Sequence, residues 1–210
     1  MPILSFCLTD TLCGDTEKII SSLPFGPEER SRLSAIKSDS ARAQSLGALS
    51  ALADTVDTSL DCTVCRTKCR KPYFKALPFH FSLSHIPSLS VAVLSDEPVG
   101  IDAEWLEQNR NTQGISARFF TSEEQEEILS SDDSTFAFFS LWTKKEAFAK
   151  LTGEGLISVC SESVPADAVF TQYALELSGR RGIISVCHNK KEEISILNPY
   201  KELKLYELQN

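Results

Sequence analysis

The segment Val99-Gly100-Ile101-Asp102-Ala103-Glu104 sets two carboxylates two residues apart, and alternate side chains of an extended strand share a face. Asp102 and Glu104 would then stand about 7 Å apart beside Gly100, while Val99, Ile101 and Ala103 point the other way, into a core. Two acids so placed repel unless something positive lies between them. A hard divalent cation such as magnesium does this through oxygen ligands, often alongside substrate phosphates. Gly100 would leave the backbone of that face open to approach. The same spacing also suits the exposed polar face of an edge hairpin. Farther along, Trp142, Glu146 and Lys150 recur every four residues in SLWTKKEAFAKLTGEGL and line one side of a helix. They are either reactive groups facing a site or, for Glu146 and Lys150, a surface ion pair worth a few tenths of a kcal/mol.

The elements that would carry these groups follow from local patterns. Residues 15–55 read as helical: Pro27 followed by Glu28 and Glu29 suits a helix start, and Leu33, Ile36, Leu46, Leu49 and Leu52 supply a buried stripe. From Phe79 the pattern turns to strands. Phe79, Phe81 and Leu83 alternate with polar residues until Pro87; Ser90–Leu94 and Val99–Glu104 follow, joined by the turn Ser95-Asp96-Glu97-Pro98. Residues 121–130 and 135–151 are predicted helices, with GEG at 153–155 as a helix stop, and 168–177 and 182–187 are predicted strands. Short strands and helices joined by hairpin-length turns predict an α+β fold with antiparallel pairing. No internal repeat is visible in the sequence.

Composition narrows the classes of function. The 210-residue chain is 42% hydrophobic and 24% charged, ordinary for a globular protein, and no apolar run approaches the roughly 20 residues that span a bilayer. The amino terminus lacks a basic start and carries Asp10, so a cytoplasmic home without a membrane is expected. A net charge of −8 argues against nucleic acid as partner. Seven cysteines (Cys7, Cys13, Cys62, Cys65, Cys69, Cys160 and Cys187) suit a reducing compartment. The trio in DCTVCRTKC reads as free thiols on a hairpin, with a zinc or iron–sulfur site as the lesser alternative, since His80 and His85 complete no finger spacing. Arg66, Lys68, Arg70, Lys71 and Lys75 fall in ten residues without an acid. They form either a solvated basic loop or a site for phosphates or an acidic partner.

Taken together, the two motifs resemble the signature of the 4'-phosphopantetheinyl transferases, GID-x-E followed some forty residues later by W-[S/T]-x-K-E-x-x-x-K. Here these are Gly100-Ile101-Asp102-Ala103-Glu104 and Trp142 to Lys150. RFFTSEE at 118–124 is similar to the family's R-F-F-[S/T]-x-x-E, and RKPYF at 70–74 and FSLSH at 81–85 to its G-K-P and F-N-x-S-H segments. The length resembles that of the larger, monomeric type that activates nonribosomal peptide synthetases. The resemblance implies two similar α+β subdomains related by a pseudo-twofold, with antiparallel sheets packed with helices and the active site in the cleft between them. The seam near residues 95–100 would divide an N-terminal half, 1–97, from a C-terminal half, 98–210, that carries the metal site.

The roles that the resemblance implies follow position by position. Asp102, Glu104 and Glu146 would hold Mg2+, and Glu146, or a water it holds, would take the proton of the carrier serine. Lys150 would neutralise the diphosphate of coenzyme A. His85 and Lys71 would bind its phosphates, with Ser84 beside them. The activity would be transfer of 4'-phosphopantetheine from coenzyme A to a serine of an apo acyl or peptidyl carrier protein, releasing 3',5'-ADP. Two positions depart from the pattern: Arg70 stands where the family has glycine, and Ser82 where it has asparagine. Basic residues of the first helices also serve the family's adenine and 3'-phosphate site, where the match is poor; Arg32 and Arg42 are candidates. Glu124 fits a helix capping box, while the resemblance puts an acid here near the metal; His188 reads as structural. A metal-dependent phosphodiesterase and a non-catalytic binder of coenzyme A or carrier protein are the alternative functions.

Overall fold

The computed structural model describes residues 1–12, 16–155 and 164–209; Cys13 and Cys160 lie outside the described residues. It is α+β, as the sequence predicts, and divides into two compact units: Met1–Val99 with Glu192–Pro199, and Gly100–Lys191 with Tyr200–Asn210.

The first unit is built on a four-stranded sheet of order β4-β5-β1-β9, from His80–Ile86, Leu89–Ser95, Ile3–Leu8 and Ser195–Leu197. β1 runs antiparallel to β5, with Ile3 opposite Leu94, and parallel to β9, so the pairing is antiparallel at all but one edge. The predicted helical region resolves into α1 (Thr16–Ser22), α2 (Pro27–Ser34) and α3 (Asp39–Ala53). Pro27 opens α2 as expected, and Ser38 caps α3 by accepting a bond from the Ala41 N–H. The leucine stripe is buried: Leu33, Leu46, Leu49 and Leu52 pack with Phe25, Phe74 and Phe81. α3 lies so close to the sheet that a Cβ on Gly47 would come within 2.8 Å of Ser90 Oγ. A two-stranded hairpin, β2 (Val64–Arg66) and β3 (Pro72–Phe74), completes the unit and carries the cysteine trio, Cys62 buried and Cys69 exposed.

The second unit repeats this plan. Its sheet has the order β10-β7-β8-β6, from Lys204–Glu207, Val169–Leu177, Arg180–His188 and Val99–Trp105. Among the described residues three helices accompany it: α4 (Thr112–Phe119), α5 (Ser122–Ser130) and α6 (Ser134–Thr152). Each unit runs strand, helix, hairpin, and the first strand pairs with the last: β1, α3, β4 and β5 give the order 4-5-1, and β6, α6, β7 and β8 give 7-8-6. This repeat of connectivity has no counterpart in the sequence. The hairpin β7–β8 turns at Ser178 and Gly179, both at positive φ (51° and 78°), the conformation favoured in tight hairpins. Gly153 ends α6 in the left-handed conformation, φ 76°, and its N–H donates to the Ala149 carbonyl, so the expected stop is present.

The close approach that fixes this unit is at Gly100. The strand expectation left that face of β6 open, but α6 covers it. A Cβ on Gly100 would sit 1.9 Å from the Ala147 carbonyl oxygen and 2.6 Å from the Leu151 nitrogen. Strand and helix backbone therefore meet directly, which only glycine permits. Around them Thr143 and Ser185 share a 2.7 Å hydroxyl bond, and Gln172 Nε2 donates to Ser185 Oγ at 2.8 Å. These buried polar groups are paired, as a dry helix–sheet contact requires. Gly100→Ala is expected to lower folding stability by about 3 kcal/mol or more, because both clashing atoms are backbone and cannot swing away. Urea denaturation checks this, and an unchanged midpoint would refute the close approach.

Candidate active site

Strand β6 and helix α6 bring four of the expected residues together. Asp102, buried, accepts a 2.7 Å bond from Lys150 Nζ. Glu104, two residues on, accepts from Arg110 Nη1 at 2.8 Å and from the indole N–H of Trp142 at 3.1 Å. β6 is the outer strand of its sheet, yet its polar face is not exposed, since every residue of the strand is buried except Glu104, which is half-buried. Glu146 lies one turn before Lys150 on α6. Burial pushes the Glu146 carboxyl up to about 7; the charge of Asp102 and then that of Glu104 add to the rise, and Lys150 and Arg110 oppose it. Glu104 is also raised, by burial and by Asp102, against Arg110 and Trp142. Three carboxylates therefore share one field with two cations.

The aromatic residues of the second unit hold this arrangement. Phe119, Phe120 and Phe138 surround the Trp142 ring at 5.6, 6.2 and 6.3 Å between centroids. The Arg110 guanidinium lies over the Phe139 and Trp142 rings at 5.7 and 5.8 Å. The RFF segment thus contributes the two phenylalanines that seat Trp142, which in turn orients Glu104. Arg110, Trp142 as a donor, and Lys145 are the members that sequence reasoning missed. Arg110 sits in the irregular stretch after β6, where no periodicity marks it. Lys145 is fully buried and pairs with Glu124 at 2.9 Å. The capping box at Thr121 and Glu124 is formed in both directions: the Thr121 N–H donates to Glu124 Oε2 at 2.8 Å, and the Glu124 N–H to Thr121 Oγ1 at 3.3 Å. His188 is buried, with Nε2 3.1 Å from Thr171 Oγ1, as its structural reading requires.

Lys71, Ser84 and His85 belong to the first unit. Ser84 and His85 are neighbours on β4, with Ser84 buried and His85 exposed. Lys71 is half-buried just before β3, and burial lowers its pKa. The departure at Arg70 has a physical reading: its φ is 66°, the left-handed region that glycine enters freely. Of the five cations in the basic hairpin, Arg66 is engaged by the buried Glu29 at 2.6 Å, while Lys68, Arg70 and Lys75 are exposed. Arg42 bonds Asp39, and Arg32 bonds Glu29.

The donor set Asp102, Glu104 and Glu146 is all carboxylate oxygen, the chemistry a hard divalent cation takes, and its mutual repulsion is what such an ion relieves. Among the described residues no group of three or more His, Cys, Asp or Glu side chains is gathered closely enough to hold a metal ion. The Asp102 and Glu104 oxygens are instead turned onto Lys150 and Arg110. No helix among the described residues is long and apolar enough to cross a membrane.

Comparison with known proteins points the same way as the motifs. Residues 98–196 match the model of the 4'-phosphopantetheinyl transferase superfamily. The chain is 43% identical over 89 residues to the 4'-phosphopantetheinyl transferase psf-1 of Bacillus pumilus, a match covering 41% of this chain and 37% of that protein. It is 34% identical over 101 residues to the 4'-phosphopantetheinyl transferase Sfp of Bacillus subtilis strain 168, covering 47% and 42%. To the 4'-phosphopantetheinyl transferase HetI of a Nostoc species it is 38% identical over 79 residues, covering 36% and 33%. The chain thus spans less than half the length of these relatives, and the resemblance read from the two motifs is borne out over the segment that carries them.

The carboxylate field has a consequence for stability. Glu146 titrates near 7 when folded and at the ordinary 4.5 when unfolded, so between these values the folded state binds more protons and its stability falls as pH rises. Metal-free protein is expected to lose up to about 3 kcal/mol between pH 4.5 and 7 from this group. Thermal melts across that range should show the decline, and Glu146→Gln should flatten it. An equal slope in both proteins would contradict the assignment.

Proposed function

We propose that this protein is a 4'-phosphopantetheinyl transferase, which moves the phosphopantetheine arm of coenzyme A to the serine hydroxyl of an apo acyl or peptidyl carrier protein and releases 3',5'-ADP. The observation that carries the reading is the cluster of Asp102, Glu104, Glu146 and Lys150 on β6 and α6, within the segment that matches the superfamily. The relatives named 4'-phosphopantetheinyl transferase support the same activity. The repeated strand–helix–hairpin plan supports the reading of two similar halves.

In the proposed reaction the serine oxygen attacks the β-phosphorus of coenzyme A. The bond from that phosphorus to the bridging oxygen breaks, and 3',5'-ADP leaves with the electron pair. Glu146, directly or through a water, accepts the serine proton as general base. Lys150 turns from Asp102 toward the diphosphate and offsets its charge, the main requirement of phosphoryl transfer. Arg110 and Trp142 keep Glu104 in place. Asp102, Glu104 and Glu146 would together hold Mg2+, which when bound neutralises the pyrophosphate and polarises its oxygens. Lys71 and His85, with Ser84 alongside, are proposed to bind the phosphates of coenzyme A.

Incubation with coenzyme A, Mg2+ and a panel of apo carriers, acyl and peptidyl, should raise the mass of at least one by the phosphopantetheine increment, read by intact-mass spectrometry. Asp102→Ala and Glu146→Ala should each lower the rate by about a hundredfold or more while the circular dichroism spectrum is kept. Absence of any mass gain across the panel, or full activity in the double variant, would refute the proposal.

A further inference from the structure

A network in the first unit governs the turn that carries Lys71. Glu29, on the first turn of α2, is 3% exposed. Its carboxylate is held from two sides, by Arg32 at 2.8 Å and by Arg66 of β2 at 2.6 Å. Arg66 engages it with two nitrogens: Nη2 donates to Oε1 at 2.6 Å and Nε to Oε2 at 3.3 Å. Its remaining terminal nitrogen, Nη1, donates to the Arg70 carbonyl at 3.2 Å. The guanidinium therefore spans from a buried anion on α2 to the backbone of the hairpin turn, a reach that depends on its planar fork.

That backbone needs holding. Arg70 has φ 66° with a full side chain, a conformation that costs about 1 kcal/mol or more outside glycine. The turn closes through the Thr67 N–H to the Lys71 carbonyl at 2.9 Å, the Arg70 N–H to the Thr67 carbonyl at 2.9 Å, and the Lys71 N–H to Thr67 Oγ1 at 3.1 Å. Burial raises the Glu29 carboxyl, but the bonds from Arg66 and Arg32 outweigh it and hold the group below its ordinary value, so the anchor stays charged at neutral pH.

We infer that Arg66, anchored on Glu29, is a positioning residue that fixes the 67–71 turn and thereby presents Lys71 to the phosphates of coenzyme A. This rests on the assignment of Lys71 made under the proposed function. Where a flexible glycine would suit the turn, this chain has an arginine in a left-handed conformation and a guanidinium clamp across it. The effect belongs to ligand binding rather than to the chemical step, because the clamp touches no reacting group.

Two variants separate the clamp from simple charge balance. Arg66→Met removes both contacts, whereas Arg66→Lys leaves a cation for Glu29 that cannot also reach the Arg70 carbonyl. Coenzyme A is titrated calorimetrically into each, amide exchange is read across residues 67–71 by mass spectrometry, and steady-state transfer separates KM from kcat. Both variants are expected to exchange this turn about tenfold faster and to bind coenzyme A about tenfold more weakly, with kcat within about twofold of wild type. Wild-type exchange and affinity in folded Arg66→Lys would overturn the inference, even if Arg66→Met failed to fold. Unchanged coenzyme A affinity in Lys71→Ala would instead overturn the Lys71 assignment, and with it the link from the clamp to binding; the exchange measurement would then judge the clamp alone.

Discussion

The constraint on which the second unit depends is the meeting of two backbones, β6 at Gly100 and α6 at Ala147 and Leu151. Because no Cβ intervenes, the strand and the helix lie at one fixed distance and rotation. That fixes where side chains two and four residues along β6 fall relative to those at four-residue intervals on α6. Asp102 meets Lys150, and Glu104 meets Trp142. Gly100, which in the sequence leaves a strand face open to approach, leaves room in the fold for a helix. Its contribution to the site is indirect, since it sets the spacing of the groups that do chemistry.

Electrostatics completes what the backbone begins. Burying three carboxylates together is unfavourable unless cations compensate, and here the compensation is incomplete by one charge. Lys150 and Arg110 answer two of the acids, and the residual repulsion appears in the raised pKa values of Glu146 and Glu104. A site in this state is poised to take up further positive charge. The aromatic cluster of Phe119, Phe120, Phe138 and Trp142 gives the field a rigid apolar wall, so side chains cannot relax away from one another. The same logic operates in the first unit, where Glu29 is buried but doubly paired and serves as an anchor.

Much of this was legible in the sequence where the determinants are local. The start of α2 at Pro27, the capping box at Thr121 and Glu124, the Gly153 stop and the alternation of β4 depend on neighbours within a few residues. β1 carries no local signal because all of it but Ile3 is buried, so ILSFCL shows no alternation to mark it. β9 and β10 are three and four residues long, too short for any period to register. The functions of Glu29, Arg66 and Arg110 depend on partners outside their own element. Glu29 reads locally as an acid suited to a helix start, and only the fold reveals Arg66, thirty-seven residues away, against it. The internal repeat was invisible for a related reason: the two units share connectivity while filling it with different side chains.

The central question is whether the β6–α6 carboxylates act as one oxygen site for a divalent ion. Titration of Mn2+ followed by electron paramagnetic resonance, with coenzyme A present, reads this directly because free and bound ion give distinct signals. One bound ion per chain is predicted for the wild type, with affinity sharply reduced in both Asp102→Asn and Glu146→Gln. Equal binding in all three proteins would contradict it.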